Sequence, residues 1–281
     1  MSIKDALLVL TTYPQKTSTT VIQYAVTFAE FVGCRLTAFA ADLKVELPRS
    51  IFGNSILNVS GMIATETRKS KDNTLSLLAA FESESEKHGV PHENIHESGL
   101  AGEIPELMAE YARLKDITII PISGPDDVDQ WYAETIAFQS GRPVLIVPQS
   151  TQQSAFKLDT VAIAWDYSRT AARAVADAIP LLQRAKAVRI LTVTNEKIFD
   201  ASRATYELAT HLSRHGITAS IDEVDAGGRD FGTVLDQFVI DNKIDLVVMG
   251  AYGHSRFREF ILGGATRSVM LNPLVPIFLS H

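Results

Sequence analysis

At 281 residues the chain exceeds what one hydrophobic core usually serves, so two units of ordinary size are expected. Its 26 Lys and Arg against 33 Asp and Glu leave a net charge of -7, which argues against nucleic acid or an anionic membrane surface as the main partner. With 46% hydrophobic but only 8% aromatic residues, and one cysteine that can form no intrachain disulfide, the composition predicts helices on a buried sheet in a soluble cytoplasmic protein.

The N-terminus enters a short apolar strand that stops at Thr11-Thr12, too brief for a signal-peptide core or a membrane span. Cys34 opens a second strand and reads as a small core residue. The segment that follows carries Pro48, Gly53 and Gly61 among polar residues and reads as a long loop with a helical start. Residues 82–87, with three glutamates, read as a solvated helix face. His88, His92 and His96 are spaced by four, but Gly89 and Pro91 break any helix there, so solvated turn residues are expected rather than metal ligands. Residues 116–121 and 143–148 are brief apolar strands, and the polar, aperiodic stretch 149–154 is the linker.

In the second half, strands are predicted at residues 160–165, 187–194, 219–224, 246–249 and 275–280, with helices at about 168–185, 201–215, 231–242 and 264–271. Apolar strands alternating with helices imply a parallel sheet covered on both faces, with ligands at the carboxyl ends of the strands. His211 and His215 share a helical face but lack the Glu and third ligand of a zinc motif, so a surface pair near a helix end is expected.

Compared with itself, the chain repeats. Residues 5–14 match 159–168 and residues 35–39 match 189–193, both at an offset of 154; residues 87–90 match 214–217 at 127, and 116–121 match 245–250 at 129. The chain is thus one module duplicated, as units over 1–150 and 155–281. The fall from 154 to 127 places an insertion of 27 residues at about 44–70.

The strand at 246–249 runs into a spaced set of glycines. Gly250 lets the chain turn off the strand, Gly253 tolerates positive φ, and Gly263-Gly264 ahead of Ala265 and Thr266 bare backbone N–H groups at a helix start. Such amides hold phosphate without a charged side chain. Tight loop-to-helix packing is the plainer account of the pair Gly263-Gly264.

Strands, helices, duplication and glycine spacing together resemble the universal stress protein family in its tandem two-domain form, over essentially the whole chain. Gly250, Gly253 and Gly263 meet that family's glycine pattern, and Asp166 stands where the family places an aspartate at the end of its first strand. The resemblance implies an α/β fold of two tandem Rossmann-like (adenine nucleotide alpha hydrolase-like) domains, each a five-stranded, mostly parallel sheet with helices on both faces. It implies ATP or a related adenine nucleotide in the C-terminal unit, magnesium entering only with the nucleotide, and a stress-response or signalling role. Its last strands would pair, residues 143–148 with 275–280, to make a pseudo-dimer within one chain, with a homodimer as a further option.

On that basis Ala164, Trp165 and Asp166 line the site, the Asp166 carboxylate accepting from ribose hydroxyls or an adenine amine; a turn or helix N-cap residue is its bland alternative. Val193 meets the adenine edge through its backbone, against plain core packing. Met249 and Gly250 approach the ribose, and Gly253, Gly263, Gly264, Ala265 and Thr266 surround the phosphates. One departure stands out: Gly264 occupies the place of a small hydroxyl residue, and losing that donor costs about 1 to 3 kcal/mol, roughly ten- to hundredfold in affinity. His254, Ser255 and Arg256 lie beside the phosphates, Arg256 and protonated His254 as donors, or else in an exposed loop without such a role.

The first half lacks these features. By the 154 offset Thr12 replaces the aspartate, Pro121 replaces the first glycine, and Asp126, Asp127 and Asp129 oppose phosphate, so a degenerate site with a structural or regulatory role is expected. Gly-x-Ser-x-Gly is absent and no general base is positioned, so catalysis is not expected beyond slow hydrolysis. The competing readings are a member without nucleotide that acts through protein or small-molecule contacts, and an adenine-nucleotide hydrolase or transferase.

Overall fold

The computed structural model describes residues 2–44, 56–124, 127–151, 154–194, 201–251 and 272–281. Its first half contains β1 (Asp5–Leu10), α1 (Thr19–Val32), β2 (Arg35–Lys44), α2 (Ile56–His88), β3 (His92–Leu100), α3 (Ile104–Ala112), β4 (Ile117–Ile122), α4 (Asp127–Gln139) and β5 (Val144–Pro148). The second half contains β6 (Thr160–Ala164), α5 (Arg169–Leu182), β7 (Ala187–Thr194), α6 (Ala201–Arg214), β8 (Ala219–Asp225), α7 (Phe231–Asn242), β9 (Leu246–Gly250) and β10 (Ile277–Ser280). Serine caps set two of the helix starts: the Ser18 and Ser168 hydroxyls accept from the N–H groups of Val21 and Ala171. The helix expected at 264–271 lies outside the described residues.

The ten strands of the described residues join one sheet, in the order β3-β2-β1-β4-β5-β10-β9-β6-β7-β8. Neighbours are parallel within each group of five, and the groups meet where β5 and β10 pair antiparallel, Phe278 opposite Leu145. The carboxyl ends of the two groups therefore point to opposite ends of the sheet. Central strands are buried on both faces, which is why they read as continuous apolar runs. One face is covered by α1, α2, α5 and α6 and the other by α3, α4 and α7, each apolar layer running through both halves. No helix among the described residues is long and apolar enough to cross a membrane.

The residues on either side of the linker's middle are anchored. Gln149 accepts from the Ser18 N–H at 2.8 Å and donates to the Ser123 hydroxyl at 2.6 Å. Phe156 inserts its ring edge-on among Tyr24, Phe28 and Phe31 of α1, at centroid distances of 5.6, 5.0 and 5.2 Å. Its N–H is held by the Thr27 hydroxyl at 2.8 Å, and Arg184, just past α5, lies over the Phe31 ring.

The duplication is visible in hydrogen bonds, but in a different register from the sequence match. Asp116 accepts from the N–H groups of Lys4 and Asp5, and Asp245 accepts from those of Asp159 and Thr160. Ala6 pairs with Ile117 and Val161 with Leu246. The offset for the first strand is thus 155, not 154, so the position of Asp166 is filled by Thr11 and not by Thr12. For β2 and β7 the offset is 152, since Ala6 pairs with Leu36 and Val161 with Val188; the counterpart of Val193 is Ala41. A one-residue slip would turn every side chain to the wrong face of the sheet, and the burial of Leu7 and Ala162 in one layer against Leu8 and Ile163 in the other fixes the choice.

Two further expectations change. The insertion is 25 residues by this register (152 less 127), and from Ile56 it is helix rather than loop: α2 runs for 33 residues where α6 has 14. Gly61 within it is exposed, and the buried Leu77, Leu78 and Phe81 anchor its other end. The histidines are not turn residues. His88 ends α2 and pairs with Glu30 and Glu84, while His92 and His96 lie on β3, the first against the Phe81 ring and the second paired with Asp42. His211 and His215 stack edge-on at 4.8 Å on the surface, and Cys34 is buried.

Candidate functional site

In the second half the sheet order reverses at β6, with β9 on one side and β7 on the other, so the switch point lies at the carboxyl edge of these strands. Three of the residues expected from sequence come together there. Ala164, Val193 and Met249, near the ends of β6, β7 and β9, are 7%, 7% and 5% exposed and belong to the apolar layer beneath α7. Their side chains are core, so any ligand contact falls to their backbone and to the edge above them.

Asp166 follows directly, half-buried. One carboxylate oxygen accepts from the Ser168 N–H at 3.1 Å, a turn that sets the serine to cap α5. The turn reading of this aspartate is the one the structure shows. Between them Tyr167 takes a left-handed backbone, φ 60°, with its ring exposed and edge-on to Trp165 at 5.9 Å. A non-glycine residue in that region costs of order 1 kcal/mol or more and clusters at ligand sites. Trp165 itself faces the opposite layer, with α5 and α6; its backbone N–H goes to the Leu191 carbonyl, and its buried indole N–H has no partner among the described residues.

Gly250 is required for a reason that spacing does not reveal. A Cβ there would stand 2.3 Å from the Ala171 nitrogen, 2.4 Å from the Thr170 carbonyl carbon and 2.6 Å from the Thr170 hydroxyl. The first turn of α5 thus sits directly on the end of β9, so that face of Gly250 is closed to a ligand. Gly253, His254, Gly263, Gly264, Ala265 and Thr266, together with Ser255 and Arg256, lie outside the described residues.

The β8–α7 loop, at the same edge, was missed from sequence. Gly227 and Gly228 are both left-handed, at φ 57° and 79°, the Arg229 guanidinium donates to the Ala226 and Asp225 carbonyls, and Asp230 caps α7. Hydrogen bonds from Thr233 hold the Asp230 carboxyl below its usual range. The Gly-Gly-Arg-Asp run was the available signal, a turn followed by a capped helix.

The corresponding edge of the first half carries its own anion. Asp129, 3% exposed, accepts from the Thr11 hydroxyl at 3.0 Å and from the Ser123 N–H and hydroxyl at 2.9 and 2.6 Å, tying the ends of β1 and β4 together. Thr12 donates to the Ala41 carbonyl and meets the Ser70 hydroxyl of α2. No group of three or more His, Cys, Asp or Glu among the described residues could hold a metal ion.

Known proteins resemble the chain in part of its sequence and in its fold. The model of the universal stress protein family matches residues 157–280. A universal stress protein of Synechocystis is 46% identical over 37 residues, 13% of either chain. A universal stress protein from Archaeoglobus fulgidus has a similar structure, with TM-score 0.69, 18% identity and coverage of 98% of this chain and 97% of its own. A protein of unknown function from Pseudomonas aeruginosa follows at TM-score 0.59 and 13% identity, covering 99% of this chain and 92% of its own. Residues 157–280 thus match the universal stress protein family.

Proposed function

We propose that the second half binds ATP or a related adenine nucleotide at the carboxyl edge of β9, β6 and β7, and that the chain works as a nucleotide-responsive stress or signalling module. The observation that carries this reading is the position of Asp166, just past β6 and between β9 and β7 at the switch point of a parallel sheet, where open α/β sheets take their ligands. Asp166 holds the sugar, the strand ends receive the base, and the amides near Gly263 and Gly264 take the phosphates. Affinity is modest, because Gly264 supplies no hydroxyl.

The two halves, over 1–150 and 155–281, act as an intrachain pseudo-dimer. The antiparallel β5–β10 pair and the seat of Phe156 on α1 support this. Mass spectrometry of gently denatured protein is the direct check: adenine nucleotide released in up to one equivalent per chain is expected, and none after saturation with ATP would refute the reading.

A further inference from the structure

The first half has a cavity at the same place in its own sheet. It is about 220 Å³ and lies at the carboxyl edge of β1 and β2, beneath α3 and α4. Leu10, Ala41, Ile104, Met108, Trp131 and Tyr132 line it. Two lining residues are structural counterparts of expected nucleotide contacts: Ala41 of Val193, and Thr11 of Asp166. Pro14 and Ala101 are exposed at its rim, and Trp131 is 43% exposed, so it has a mouth to solvent.

Its chemistry differs from that of a nucleotide site. The polar groups at its rim are turned inward: the Thr11 hydroxyl donates to Asp129, the Thr11 N–H goes to Thr17, the Thr12 hydroxyl to the Ala41 carbonyl, and the Thr12 carbonyl accepts from Asn73. A ligand therefore meets hydrocarbon and ring faces. Phosphate is disfavoured by the buried carboxylate of Asp129 beside it. An apolar cavity of about 150 Å³ accepts benzene, so this one has room for one or two fused rings. Burial and the neighbouring Asp129 charge push the Tyr132 phenol up to about 12, so its hydroxyl is neutral at physiological pH.

We propose that this cavity binds a small, uncharged aromatic compound, making the first half a second ligand site whose specificity is opposite to that of the second half. The geometry that favours it is an apolar pocket built from the same strand ends, with its polar edges already satisfied internally.

Calorimetric titration of the full chain with 2-naphthol tests this, together with methyl NMR of methionine-labelled protein. One site per chain is expected, with a shift of the Met108 methyl. Ala41→Met, which fills the floor, and Ala101→Phe at the exposed rim should each weaken binding at least tenfold; the second variant serves if the first misfolds. Asp166→Ala should leave 2-naphthol binding unchanged, and ATP should not displace it. Absence of heat and of a Met108 shift, equal affinity in both filled variants, or displacement by ATP would each overturn the proposal. None of these outcomes bears on nucleotide binding by the second half.

Discussion

Replacing Gly250 by alanine tests the packing of α5 on β9 with a single methyl group. Ordinary contact begins at about 3.4 Å, and the added Cβ would lie 2.3 Å from the Ala171 nitrogen and 2.4 Å from the Thr170 carbonyl carbon. These are backbone atoms, so no side chain can swing aside, and the first turn of α5 must retreat by about 1 Å. Overpacking of this kind costs about 1–3 kcal/mol. Retreat also strains the Ser168 cap, which holds that same Ala171 N–H at 3.1 Å and contributes about 1 kcal/mol. The expected loss is about 2–4 kcal/mol, which for a cooperative chain of this length lowers Tm by roughly 3–7 °C. Calorimetry with Gly33→Ala as comparison separates the mechanisms: Gly33 is left-handed, at φ 73°, in open space, so its cost is backbone strain alone, about 1 kcal/mol. A Gly250→Ala protein melting within a degree of wild type would show that α5 does not sit on β9 as described.

Phe156→Ala should cost about 3–5 kcal/mol and loosen one half from the other, seen in calorimetry as a split or broadened transition; a single unshifted peak would remove Phe156 from the interface. Asp129→Asn should destabilise the first half by about 2 kcal/mol in urea unfolding, since three donors lose a charged acceptor. The Cys34 thiol, raised to about 12 by burial and by the charges of Asp5 and Asp116, should resist Ellman's reagent at pH 8 in the native protein and react at once in guanidinium. Burial pushes the Asp42 carboxyl up, but hydrogen bonds from His96 and Ser98 outweigh it and leave its pKa below the ordinary value. Its contribution is then full above about pH 4 and lost as pH falls through the depressed value, so His96→Gln should flatten the acid limb of the stability curve.

The strands and most helices of the second half were legible because each is a run of one period: residues 231–242 coincide with α7 and residues 187–194 with β7. Register was not. The stretches around Leu8 and Ile163 are apolar on every residue, so the shared tyrosines Tyr13 and Tyr167 drew the match one residue out of step; only the layer each side chain enters separates 154 from 155. The long α2 was hidden because its first half carries glycine, serine and threonine with little apolar periodicity, and its order comes from tertiary contacts near Phe81. Asp166 and Gly250 were found by type and spacing, yet their local duties come from α5, an element distant from Gly250 in sequence. Asp129 was read as one repelling charge in a loop, whereas it is a buried tie between β1 and β4; no pattern along the chain announces its partners Thr11 and Ser123.

The central claim is tested most directly by titrating the intact protein with labelled ATP beside Asp166→Ala and Gly263→Val. One site per chain is expected, weakened at least tenfold in each variant. Equal affinity in all three proteins, or no binding to any, would contradict it.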